Sequence, residues 1–102
     1  MKEYVRCCTP AQIHGVCEDY RATATLDFEM DKADFEAGRR IACPVLVLVG
    51  GQSHTSTFYN VTDAWSHYAA NIVGCVALPS GHYPAEQAPE ETYRELERFF
   101  GG

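Results

Sequence analysis

The chain has 102 residues, room for one domain near the low end of the usual single-domain range. Hydrophobic residues make up 46% and charged residues 22%, an ordinary globular balance that excludes a disordered chain. Lys and Arg number 8 against 14 Asp and Glu, and the resulting net charge of −6 excludes a nucleic-acid binder that relies on a basic face.

No apolar run reaches the roughly 18 residues of a membrane span, and the opening MKEYVRCCTP lacks the apolar core of a signal peptide. The 5 cysteines are odd in number and fit no zinc spacing, so neither a metal nor a cofactor is expected, and a reduced, cytoplasmic setting is. Charge is unevenly spread. From Pro44 to Ala85, Asp63 is the single Asp, Glu, Lys or Arg. A solvated stretch of that length normally carries several more, so the middle is expected to be interior or covered by something.

In chain order, Thr9-Pro10-Ala11-Gln12 has the T-x-x-Q form of a capping box with proline at the first helical position. This predicts a helix from about Pro10 to about Ala24, with Ile13, Val16, Cys17 and Tyr20 on one stripe. Asp31 opens a short polar helix in MDKADFEAG that Gly38 closes in a left-handed cap. Pro44 precedes Val45-Leu46-Val47-Leu48-Val49, ended by Gly50-Gly51. Five apolar residues without alternation read as a strand buried on both faces, as in parallel sheets. The loop QSHTST follows, then a helix near 58–70 with Phe58, Val61, Trp65, Tyr68 and Ala69 at helical spacing. Asn71 or Gly74 ends it, and Val73–Leu78 makes a second strand. Pro79-Ser80-Gly81 turns the chain, and Pro89 starts a last helix with Tyr93, Leu96, Phe99 and Phe100 facing inward.

Strand, helix, strand, helix is a βαβα unit with a right-handed crossover, so the fold class is α/β. A two-stranded parallel sheet is a poor core by itself. An open edge on so apolar a strand invites pairing with another chain. The chain is therefore expected to be part of a larger sheet, or to make one by association.

Chemistry in open α/β sheets gathers at the carboxyl ends of the strands. Those ends fall at Gly50–Thr57 and Pro79–Pro84, which singles out Ser53, His54, Ser80, His82 and Tyr83. Gly51-Gln52-Ser53-His54-Thr55 approaches the G-x-S-x-G nucleophile elbow, but threonine replaces the last glycine and no helix is expected directly after Ser53. A polar loop is the expectation there, and a Ser53/His82 esterase the weaker reading. In S-G-H-Y-P, His82 lies just past a strand, where a glycine turn aims an imidazole over the sheet's carboxyl edge. Imidazole changes charge near neutrality and suits proton abstraction from water. A partly exposed loop histidine fits the same position.

The string Ser80-Gly81-His82-Tyr83-Pro84-Ala85-Glu86-Gln87-Ala88-Pro89-Glu90-Glu91 resembles the catalytic-histidine segment of the α/β-hydrolase superfamily, especially its haloacetate (fluoroacetate) dehalogenase branch. Cys17-Glu18-Asp19-Tyr20-Arg21-Ala22, with Asp27 downstream, is similar to that branch's segment at the end of the cap domain. Gly38-Arg39-Arg40-Ile41 before Cys43-Pro44-Val45-Leu46 resembles the lead into its penultimate core strand. The resemblance spans nearly all of this chain but only the last third of such an enzyme. It implies that residues 1–40 correspond to the end of the cap and 41–102 to the C-terminal βαβα of the core.

It further implies a two-step displacement on a small halogenated carboxylic acid. An aspartate displaces the halide and forms an ester, and a histidine oriented by a second acid activates the water that hydrolyses it. Carried over by motif, His82 is the general base and Tyr20 the halide-pocket tyrosine. The Tyr20 hydroxyl donates a hydrogen bond to a developing halide without a full positive charge, while a core tyrosine on an amphipathic helix is the plainer reading. The nucleophile, its arginines and the orienting acid belong upstream of Met1. Asp63, one or two turns into a helix, reads as a solvated position, and Val49 stands where this branch ends its strand in tryptophan. Core packing explains Trp65. The expectation is a C-terminal piece of such a hydrolase, inert alone, that homo-oligomerises or meets a complementing chain. A small stand-alone binding or assembly module that associates through its strand edge is the alternative.

Overall fold

A computed structural model describes residues 1–101. Two compact units are present, Met1–Gly38 and a second from Arg39 onward.

The first unit is helical: α1 (Lys2–Cys7), α2 (Pro10–Thr23) and α3 (Leu26–Glu36). Thr9 caps α2 as expected, its side chain accepting from the Gln12 N–H at 3.2 Å, and Pro10 occupies the first turn. The reciprocal half of the capping box does not form, because the Thr9 N–H donates to the Cys7 carbonyl instead. Gly38 has φ 68°, the left-handed conformation expected just past a helix end. The helix it follows starts at Leu26 rather than Asp31, so the polar stretch extends a turn further back than its charges suggest. The stripe on α2 is not buried: Ile13, Val16 and Tyr20 are all exposed.

The second unit holds β1 (Val45–Gly50), α4 (His54–Phe58), α5 (Val61–Ser66), β2 (Ile72–Leu78), α6 (Pro84–Gln87) and α7 (Pro89–Gly101). The two strands pair in parallel, with Val47 opposite Cys75 and Gly50 opposite Leu78. A bulge opposite Val45/Leu46 leaves Val73 unpaired and exposed, and an isolated bridge between Ile41 and Ala69 lies ahead of the ladder. The fold class is thus α/β: helices followed by a βαβα segment. Its buried apolar residues are Val47, Ala69, Leu78 and Ala88.

The predicted helix at 58–70 shortens to α5, and the stretch read as the loop QSHTST holds α4 instead. Tyr59 and Asn60 are extended, and Asn60 begins a new helix by accepting the Asp63 N–H at 3.1 Å. A side chain that can cap outcompetes continuation of the first helix here. Phe58 and Tyr68 are exposed, and so is Trp65, in place of the expected inward stripe.

The last helix turns a different face. Ala88 is buried and Thr92, Glu95 and Phe99 are half-buried, whereas Tyr93 is 63% exposed, Phe100 78%, and Leu96 is exposed as well. Both carboxylate oxygens of Glu95 accept from Nη1 of Arg98, at 2.8 and 2.9 Å. Together with Phe99 this pair faces Leu46, Gly74 and Val76 across a cleft of about 470 Å³. The apolar spacing indicates a helix correctly but picks the wrong side, because the side that is covered depends on what else is present.

Exposed surface totals 8140 Å² for 11.3 kDa. Two separate globules sharing that mass would expose about 6,900 Å² by the usual area–mass scaling. Even allowing for two units, the chain therefore leaves more than 1,000 Å² open that compact folding would bury, at roughly this scale. The uncharged middle segment is only sparsely buried within this chain, so the expected interior position is not met.

Candidate active site

The carboxyl ends of β1 and β2 are locked together by their own backbones. The Gly51 N–H donates to the Leu78 carbonyl at 2.8 Å and the Gln52 N–H to the Ser80 carbonyl at 2.9 Å. Gly50 lies so close to the next loop that a Cβ there would sit 1.7 Å from the Gly81 carbonyl oxygen. Only a residue without a side chain permits this crossing. Ser80, 2% exposed, turns the chain by donating its N–H to the Leu78 carbonyl at 2.7 Å.

His82 follows immediately, in the loop between β2 and α6, and is exposed. Its ring meets that of Tyr83 edge-on with centroids 4.9 Å apart. Among the described residues no hydrogen bond or ion pair engages the imidazole, so no acid of this chain orients it. The backbone on either side of His82 is held instead. The Gly81 and Tyr83 N–H groups both donate to Oε1 of Gln87, at 2.9 and 3.3 Å. Sequence reasoning missed Gln87, which stands in the string around His82 without a role; its place at the end of the one-turn helix α6 emerges from the structure.

Ser53 behaves differently from both of its sequence expectations. A helix does begin directly after it, since Ser53 is the N-cap of α4 with φ −81°. The residue is 8% exposed and its Oγ donates to the Gly50 carbonyl at 2.6 Å while accepting the Ser56 N–H at 3.3 Å. Ser56 Oγ also reaches the Gly50 carbonyl, at 2.9 Å. A capping serine buried against a strand end, with relaxed backbone, is not an exposed nucleophile on a strained elbow. Ser53→Ala is expected to lower stability by about 1 kcal/mol through loss of the cap, read as a shift of the urea unfolding midpoint. p-Nitrophenyl ester hydrolysis by the chain that this substitution abolishes would make Ser53 a nucleophile after all.

Asp63 lies exposed in the first turn of α5, where a carboxylate complements the helix N-terminus. Tyr20 belongs to the other unit, on the exposed side of α2 at 74% exposure. In the same segment Glu18 and Arg21 pair with each other one turn apart. The cysteines are free thiols. Among the described residues no group of three His, Cys, Asp or Glu is arranged to hold a metal ion, and no helix is long and apolar enough to cross a membrane.

No family model matches the chain. Over 90 residues it is 39% identical to a fluoroacetate dehalogenase from a Burkholderia species, covering 88% of this chain and 29% of that one. A candidate acyltransferase from Salmonella enterica, solved by crystallography, superposes with a TM-score of 0.88 at 44% identity over 98% of this chain and 33% of its own. The crystal structure of a candidate α/β-hydrolase from Nostoc sp PCC 7120 gives 0.89 at 45% identity, over 97% of this chain and 33% of its own. The chain spans about a third of the length of the relatives it matches.

Proposed function

We propose that this chain, which resembles the C-terminal third of haloacetate-dehalogenase-like α/β-hydrolases, carries the general base and part of the halide pocket of an enzyme acting on small halogenated carboxylic acids. One observation carries the reading. His82 lies directly beyond the end of a parallel strand, on a turn fixed from both sides, within a chain 39% identical to a fluoroacetate dehalogenase. That is where open α/β sheets gather their chemistry.

In this reading, an aspartate outside these 102 residues attacks the carbon bearing the halogen, and the C–halogen bond breaks with release of halide. The resulting ester is then hydrolysed. The His82 imidazole takes a proton from water as the water oxygen adds to the ester carbonyl. The tetrahedral adduct then breaks its bond to the substrate oxygen, which takes the proton back from the imidazolium and leaves as the hydroxy acid, restoring the aspartate. Tyr20 donates its O–H to the departing halide. Neither Ser53 nor Asp63 substitutes for the nucleophile, since one is a buried cap and the other an exposed first-turn acid. The chain alone is therefore inert. Its free thiols suit a reducing, cytoplasmic setting.

Halide release from fluoroacetate and chloroacetate tests this. The chain alone is expected to release none. Grafted in place of the corresponding segment of the Burkholderia enzyme, it is expected to support turnover. Release by the isolated chain that disappears in His82→Ala overturns its inertness, and a folded chimera without turnover overturns the base-bearing role.

One observation favours a second reading. Among the described residues each strand pairs on one side only, so both outer edges are open. A stand-alone module that dimerises through an edge would use this, and light scattering after size exclusion separates the two. A stable compact homodimer supports the module. A monomer that binds apolar dyes supports the segment of a larger hydrolase.

A further inference from the structure

We propose that Gln87 is a positioning residue of His82: a side-chain strap that sets the imidazole through the backbone. The inference deepens the reading above and rests on it for the role of His82, but the strap itself stands on geometry.

His82 has no hydrogen-bonding side-chain partner among the described residues, so its location follows from residues 81–83. Three features fix that stretch. Gly81 is pressed from one side by Gly50, whose missing Cβ would meet the Gly81 carbonyl oxygen at 1.7 Å. Gln87 closes on it from another, since a Cβ on Gly81 would lie 3.2 Å from the Gln87 Oε1. That oxygen accepts from both Gly81 and Tyr83, so one acceptor spans the histidine. The helix that carries Gln87 is itself anchored, because Ala88, the residue after it, is buried and its N–H donates to the Pro84 carbonyl at 2.8 Å.

An amide suits this task in a particular way. A glutamine accepts two N–H bonds through one oxygen without placing a formal charge next to a proton-accepting imidazole. A carboxylate at the same place makes the same bonds, and stronger ones. Leucine makes neither.

Hydrogen exchange and NMR on the 102-residue chain decide the matter. In Gln87→Leu the Gly81 and Tyr83 amides are expected to lose about tenfold in protection, the scale of one hydrogen bond. The ladder amides of Val47 and Val76 serve as the reference for intact folding. Gln87→Glu is expected to retain the protection. The His82 ring protons should carry a ring-current shift from Tyr83, which averages toward the free value in Gln87→Leu and returns in Gln87→Glu.

Unchanged protection at Gly81 and Tyr83 with an intact ladder overturns the strap. Lost protection with an unaltered His82 ring signal overturns its positioning role. Neither readout needs turnover, so a failed chimera counts against the proposed function, whereas the strap stands or falls on these spectra. In an active chimera, Gln87→Leu is expected to lower kcat about tenfold at unchanged KM, with recovery in Gln87→Glu.

Discussion

His82→Ala in the chimeric dehalogenase is expected to lower turnover by about 10²–10⁴-fold, the span that a positioned general base supplies. The substitution is a clean one for a reason visible in the loop. Gln87 holds the Gly81 and Tyr83 N–H groups, which are backbone, so truncating the imidazole leaves the strap in place. The loss then reports proton abstraction rather than a collapsed turn. Because the base serves ester hydrolysis and not halide displacement, one equivalent of halide should still be released before turnover stops. Mass spectrometry of the stalled protein should show the substrate's carboxymethyl group carried as an ester on the aspartate. Turnover within a factor of a few of the unsubstituted chimera would assign the proton to another group.

Gly50→Ala is expected to be the most destabilising single methyl in the second unit, at about 3 kcal/mol or more. The added Cβ would overlap the Gly81 carbonyl oxygen at 1.7 Å, with the Gly81 carbonyl carbon at 2.7 Å and the Ser80 oxygen at 2.9 Å. All three neighbours are main chain and no rotamer change moves them. Relief requires the strand end and the loop to separate, which breaks the Gly51 to Leu78 and Gln52 to Ser80 bonds and releases His82 with them. Gly74→Ala is the matched comparison on β2, since its nearest neighbour is the tip of Leu46 at 3.0 Å, a side-chain methyl that can turn aside. Urea midpoints should differ clearly between the two. Equal midpoints would show that the strand ends do not form the tight crossing.

Sequence patterns worked where the governing contact is short-range. The Thr9 cap needs only the Gln12 N–H three residues on, and the turn after α3 needs only a glycine free to adopt φ 68°. Val45–Gly50 is legible as a strand because a short run of branched apolar residues closed by Gly-Gly suits extended pairing, but the expected cover on both faces is missing, since only Val47 and Gly50 are buried. The start of α7 at Pro89 follows from proline's fixed φ. His82 was identifiable as a candidate from its place after a strand and from the residues around it.

The misses have two causes, one local and one not. Asn60 divides a continuous apolar periodicity because its side chain captures the Asp63 N–H, a local competition that spacing does not weigh. The same periodicity gives α7 an apolar stripe that remains exposed, and Ile13, Val16 and Tyr20 one on α2. Periodicity reports which faces are apolar, whereas burial depends on what lies opposite. In relatives three times this length, more chain is present than these residues contain.

From 102 residues of ordinary composition, then, the parallel βαβα class and the histidine at a strand end follow, since turns and apolar runs act over a few positions, whereas the short helices α1, α4 and α6 carry no such signal. The uncharged stretch around Asp63 suggests an interior position, but most of it is exposed or half-buried. Tertiary structure alone decided that Gly50 must be glycine, that Ser53 is a buried cap, and that Gln87 grips both sides of His82. Of these, the Gly50 crossing depends on two strand ends far apart in the chain, and no local pattern encodes that distance. The Ser53 cap and the Gln87 strap close within six residues, but which polar atom takes which backbone group is set by how each loop folds against those ends.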